Sequence, residues 1–225
     1  MGVDIPLAYV ILLHVSKRAT AAVGYRRRAG EDVPVAQFLR SGRASLDLAW
    51  TVRYRNVHPT DLLTGGRALE SWLRETYPEV RFSPSLCTPE VLLQATTLRE
   101  AIHAAVKATV TGAAVTSSDR AVINRAARGK RFVHQLDADG AQGPRATSGE
   151  QFLAELAIDG IQVLSADPSR LRFCEGPNCG LPFFDESRSG SRRWCTAQRC
   201  GNRVNTKAYR SRAKTRGHAV ATARE

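Results

Sequence analysis

Four cysteines in two pairs of identical spacing constrain this chain more than any other feature. Cys174 and Cys179 are separated by four residues, as are Cys195 and Cys200, and 15 residues lie between the pairs. Each short loop offers two thiolates from one turn. The stretch between them is long enough to bring the second pair back to the same ion. Zn2+ is borderline soft, redox-inert and content with such a tetrahedral set. An iron–sulfur cluster also takes four thiolates, but this spacing matches neither of the common ferredoxin patterns. Two disulfides would require an oxidising compartment, and the fifth cysteine, Cys87, leaves a disulfide framework incomplete. Cys174, Cys179, Cys195 and Cys200 are therefore read as ligands to Zn2+. A shell of four thiolates is closed to water, so the site is expected to be structural and not hydrolytic.

Positive charge follows the cysteines. From Ser169 onward there are 13 basic and 4 acidic residues, a balance of +9 within the chain's +12. Ten Lys or Arg fall between Arg188 and Arg216 with no acid among them. A field concentrated at one end points to a polyanion, because charge serving solubility alone would be dispersed. The segment after Cys195 reads as a helix to about Arg216. Arg199, Arg203, Lys207, Arg210 and Lys214 recur there at steps of four, four, three and four, which places five cations on one stripe. Like charges at these spacings disfavour an isolated helix and make sense when phosphates neutralise them. Asn202, Asn205 and Arg212 flank the stripe and are types that read base edges. Arg192 and Arg193 extend the basic surface before Trp194, which is read as a cap on the small core.

The rest of the chain reads as mainly helical. Residues 1–34 form an apolar and then basic extension only loosely attached to the fold. It has no secretory signal and no run of the roughly 18 apolar residues that a membrane span needs, so the expected compartment is the cytoplasm. Ala44 to Tyr54 suits either period and is read as helix. Gly66 to Tyr77 is a short helix ended by Pro78. Thr88 to Val110 is the clearest helix, with Thr88 as N-cap, Pro89 at the first position, one apolar stripe and Gly112 after the end. Ser117 to Arg128 follows, capped by Thr116 and Asp119. Arg131 to Gln135 and Pro144 to Thr147 suggest a hairpin around residues 137–143. Ser148 opens the last helix, with Gln151 completing a capping box. No phosphate-binding glycine loop, nucleophile elbow or metalloprotease histidine pair is present, and no enzymatic activity is expected.

Cys200-Gly201-Asn202-Arg203, with Arg193-Trp194-Cys195, Cys174 to Cys179 and Phe184-Asp185-Glu186-Ser187-Arg188, resembles the CGNR zinc-finger family, named for that tetrapeptide. In such proteins the finger follows a helical domain called ABATE, proposed as a stress-induced transcriptional regulator. Leu46-Asp47, Asp61-Leu62-Leu63, Trp72-Leu73, Leu98-Arg99-Glu100 and Ile123-Asn124 resemble that domain. The family usually carries Asn-Thr after its opening Leu-Asp motif, where this chain has Trp50-Thr51. If that Asn lines a ligand or partner site, this member has altered it.

The expected architecture is a helical domain with a small hairpin over residues 35–167, then a treble-clef-like four-cysteine zinc finger with a basic C-terminal helix over 168–217, and a tail over 218–225. The expected function is zinc-dependent DNA binding in transcriptional regulation. Arg192, Arg193, Arg199, Asn202, Arg203, Asn205, Lys207, Arg210, Arg212 and Lys214 are the candidate contacts. RNA is the alternative polyanion. The helical domain would bind a small-molecule effector, mediate a homodimer, or act as an enzymatic domain with the finger as accessory.

Overall fold

The computed structural model describes residues 38–136, 140 and 142–206. The expected extension over residues 1–34 and the basic residues from Lys207 onward lie outside them. Helix α3 (Pro89–Thr111) is the centre of the helical part. The Thr88 side chain accepts from Val91 N, Pro89 takes the first position, and Gly112 ends the helix at φ 71°. These three local signals fix both ends independently of packing. Val91, Ala95, Leu98, Ile102 and Ala105 are buried along it, and α3 packs against α1 (Ala44–Ala49), α4 (Ser117–Ala127) and α5 (Gly149–Ser165). Thr116 caps α4 by accepting from Asp119 N. At the start of α5 the Gln151 side chain accepts from Ser148 N at 3.0 Å. Helix α2 (Gly66–Thr76) adds Leu69, Trp72 and Leu73 to the core. Tyr77, Phe82 and Phe132 pack around Phe152 with centroid separations of 4.9–5.6 Å.

The stretch from Ala44 to Tyr54 is not one helix. Helix α1 stops after Ala49, and the chain turns into β1 (Val52–Arg53), which pairs antiparallel with β2 (Thr60–Asp61). The sequence satisfied both periods because it contains both structures. The second hairpin joins β3 (Val133–Leu136) to β4 (Gln142–Arg145). Its β3 residues are all exposed.

Polar ties set where α1 points. Asp159 of α5 accepts from Ser45 N at 2.8 Å and pairs with Arg43 at 2.8 Å. Asp47 is buried and accepts from the Ser41 hydroxyl at 2.6 Å. Burial pushes its carboxyl up to about 6, against the opposing pull of Ser41 and Arg40. At the other end, Arg99 of α3 holds the β1–β2 hairpin. Its two terminal nitrogens donate to the Asp61 carboxylate at 2.8 and 2.7 Å, and one also reaches Thr51 Oγ1 at 3.1 Å. Glu100 bridges Arg99 and Arg55.

The finger begins with β5 (Leu171–Phe173), paired antiparallel with β6 (Pro182–Phe184). A loop then leads to a π-helical turn, Ala197–Gly201, which continues as α-helix through residue 206. A hairpin with a thiol knuckle, followed by a loop that ends in Cys195 and a helical turn that carries Cys200, is the expected treble-clef-like arrangement. Among the described residues no helix is long and apolar enough to cross a membrane.

Candidate metal centre

The hairpin β5–β6 positions the first thiol pair. Cys174 follows β5 and donates its N–H to Leu181 O at 2.9 Å, which closes the knuckle at its base. Within it, Cys179 N donates to Gly176 O at 3.0 Å, and Gly176 N points at Cys174 Sγ at 3.4 Å. The turn takes Asn178 to φ 60° and Gly180 to φ 58°. A Cβ on Gly176 would come within 2.8 Å of Cys200 Sγ, so only glycine leaves room for the second pair.

Asp185 organises the return of that pair. Its buried carboxylate accepts from Ser187 N at 2.9 Å and Arg192 N at 2.8 Å, at the two ends of the intervening loop. The Arg192 guanidinium turns inward. It donates to the carbonyls of Trp194 and Cys195 and lies over the Phe183 ring at 4.9 Å. The Thr196 hydroxyl accepts from Arg199 N at 3.2 Å and starts the turn that carries Cys200.

All four sulfurs are buried, and the four lie within 4.8 Å of one another. Cys195 Sγ is 3.7 Å from both Cys179 Sγ and Cys200 Sγ. With metal–sulfur bonds of about 2.3 Å, a tetrahedral shell has sulfur–sulfur edges of about 3.8 Å. The spacing fits a metal and is far beyond a disulfide bond of about 2.05 Å. The chemistry of the set agrees. Hydrogen bonds from Cys179 and Cys195 pull the Cys174 thiol down, while burial pushes the Cys200 thiol up. Four thiols this close cannot all ionise without a cation to share. The four cysteines form a metal site.

The apolar shell around this site is not the finger's alone. Trp50, at the end of α1, is 1% exposed and packs in one cluster with the four cysteines, Leu181 and Phe183. Its indole N–H donates to Pro182 O in β6. Leu39 and Trp194 cover the cluster's edge, which agrees with the expected capping role of Trp194. Further contacts join the parts. Tyr54 Oη accepts from Arg199 at 3.0 Å, and the His103 ring meets Phe173 edge-on at 5.9 Å. Burial and the nearby Arg55 charge push His103 down to about 4. A module of this size has little apolar core beyond its metal. Here the helical part supplies a tryptophan to it. The residue that departs from the family pattern is the one that does so.

With the helical core, the Arg99–Asp61 tie and the thiol cage in place, comparison with known families is decisive. A model of the ABATE family, described as a putative stress-induced transcription regulator, matches residues 42–167. The chain belongs to the ABATE family. A CGNR zinc-finger model matches residues 170–213. No curated protein matches the chain. In this ABATE protein the matched motifs have structural work: Asp47 ties the lead-in to α1, Asp61 and Arg99 join a hairpin to α3, and Asp185 shapes the thiol loop.

The nucleic-acid candidates fall into four groups. Arg192 is committed within the finger and Arg199 is docked on Tyr54. Arg193 is 62% exposed, pairs with Glu175 at 2.6 Å and lies over the Trp194 ring. Asn202, Arg203 and Asn205 are exposed on the helix leaving the cage. Lys207, Arg210, Arg212 and Lys214 lie outside the described residues. Sequence reading missed Tyr54 and Trp50 as partners of the finger. Their signal was only a pair of large aromatics where the helical pattern breaks.

Proposed function

We propose that this chain is a cytoplasmic DNA-binding transcriptional regulator whose metal is Zn2+. The ion would be held by Cys174, Cys179, Cys195 and Cys200, and what it supplies is folding energy and a fixed loop geometry. The closed thiolate shell has no position for a reacting water, so the role is architectural and no catalysis is assigned.

The observation that carries the reading is the helix that starts inside the cage. Cys200 is buried, yet Asn202, Arg203 and Asn205, two to five residues on, are exposed. The metal therefore fixes the direction of a solvent-facing helix whose sequence continues with Lys207, Arg210, Arg212 and Lys214. Arginine on such a helix donates to phosphate oxygens or to guanine edges, and asparagine pairs with adenine. Arg192 and Arg199 act by holding the finger in shape.

The experiment is a titration of the metal-loaded chain with duplex DNA and with RNA of matched length at several salt concentrations. Binding to DNA with a steep salt dependence is expected. Replacing Arg203 and Lys207 by glutamine lowers the slope by about one unit for each phosphate contact removed. Preference for RNA, or an unchanged slope in the double variant, removes the DNA reading or these residues from the interface.

A further inference from the structure

A cleft of about 580 Å³ lies between α3, the turn that joins β1 to β2, and the thiol knuckle of residues 174–180. Cys174 and Cys179 border it, whereas Cys195 and Cys200 do not, so this space is outside the thiol cage. Val57 and Phe173 give it apolar walls. His103 and Lys107 stand one turn apart on α3 and both line it. The half-buried His103 ring meets Phe173 edge-on and makes no hydrogen bond to a described residue. Lys107 is exposed and forms no ion pair with a described residue. Asn56 and Asn178 bring side-chain amides from the other two walls. The one acid on the lining is Glu175, and its carboxylate is already paired with Arg193 at 2.6 Å.

The uncommitted polar groups are therefore one cation and several neutral donors, set around apolar walls. A carboxylate accepts several hydrogen bonds from such donors. An apolar body attached to it takes Val57 and Phe173 out of water. Glu175 on the lining disfavours a second negative charge, which puts phosphate and polyanions at a disadvantage. We propose that this cleft binds a small monocarboxylic acid with an apolar body. Its carboxylate meets Lys107, His103 and the Asn178 amide, and its body lies against Val57 and Phe173. None of these groups belongs to the basic helix, so the site stands whether or not that helix binds DNA. One wall is the knuckle that carries Cys174 and Cys179, so ligand and metal each favour retention of the other.

The test uses the full metal-loaded chain, titrated with benzoate and with hexanoate at constant ionic strength set by chloride. Binding is read by calorimetry and by the shift in melting temperature. Benzamide and hexanamide keep the apolar bodies without the charge, and inorganic phosphate carries charge without a body. Saturable binding of at least one acid is expected, tighter than that of its amide by about tenfold, the size of one charge-assisted hydrogen bond. This comparison is made on the parent chain and does not depend on any variant folding. Benzoate as the binder sets an aromatic body, and hexanoate an aliphatic one. Lys107→Gln should lower affinity for the acid to that for the amide, and Lys107→Arg should restore most of it. Lys130→Gln, which removes an exposed charge outside the cleft, should change nothing. Asn178→Gly suits the knuckle's φ of 60° and removes only the amide, so it should weaken binding without loss of metal. No saturable response to either acid, or an amide that binds as tightly as its acid, overturns the proposal. So does phosphate that binds as tightly as the acids, or a Lys107→Gln variant that matches the parent.

Discussion

Trp50 shows how one residue can join two parts of a molecule. Its ring is buried among the metal-ligating cysteines, and its N–H meets a buried carbonyl on β6. Trp50→Ala removes both contributions and is expected to cost about 3–5 kcal/mol, the range for truncating a large buried aromatic. Trp50→Phe retains most of the packing but leaves Pro182 O unpaired, at about 1–3 kcal/mol. Urea denaturation with chelator competition measures both effects. An alanine variant with parental stability and metal retention would show that the ring is not part of the cage's core. Buried Asp47 and half-buried His103 contribute pH dependence of opposite sign. The folded pKa of Asp47, about 6, lies above the ordinary 3.8, so folding favours its protonated form. Its ionisation penalty is absent below pH 4 and fully present above pH 6. The stability of Asp47→Asn relative to the parent should therefore grow by about 2–3 kcal/mol across that window. His103 has a folded pKa of about 4, below its ordinary 6.5. Its contribution is present above pH 6.5 and lost as pH falls towards 4, so the relative stability of His103→Gln should rise on acidification. Variant-minus-parent stability measured from pH 4 to 7 checks both, because the acid sensitivity of the metal site cancels in the difference. Parallel slopes for the two variants would contradict the assignment.

At the scale of elements, what could be read from the sequence depended on how local the cause was. Helix α3 was legible because Thr88, Pro89 and Gly112 set its ends through backbone chemistry within a few residues. The four thiols were legible for the same reason, since each pair sits on one turn. The short helix α1 and the two-residue strands β1 and β2 were not. Their limits are imposed by Arg99 gripping Asp61, 38 positions away, and by Trp50 entering a cluster that includes Phe183. No local pattern encodes a contact across that distance. The knuckle carries its own prediction. A methyl group on Gly176 would meet Cys200 Sγ at 2.8 Å and Cys200 Cβ at 3.0 Å. Gly176→Ala must therefore push the second thiol pair outward, and metal affinity should fall by about 10–100-fold, the range for disturbing a site's supporting shell. Competition with a chromogenic chelator reads the change. An affinity within about twofold of the parent would mean that the cage yields at little cost.

Across the whole molecule, the question is whether the finger is an appendage or part of one folding unit. A self-contained finger would lose its metal, unfold, and leave the helical part untouched. This fold gives a different expectation. Metal loss removes the order of the cluster that buries Trp50, and Trp50 lies between α1 and β1. Helix α1 is itself packed on α3 and α5 through Leu46 and Leu48, with Asp159 tied to its first turn. Disorder at the cage thus exposes one wall of the helical core, including the start of the hairpin that Arg99 holds. Chelation at neutral pH should lower the melting temperature of the helical signal by several degrees, since a loss of about 1 kcal/mol shifts a domain of 150–250 residues by about 2–4 °C. It should also increase amide exchange in α1 and β1 before that in α4. Circular dichroism with hydrogen exchange, before and after removal of metal, tests this. The Trp50→Ala variant supplies the cross-check: with the link cut, the helical melting temperature should no longer respond to the chelator. If the parent's helical part melts at the same temperature with and without metal, the shared core fails as an energetic description. The finger would then fold independently of the domain that precedes it.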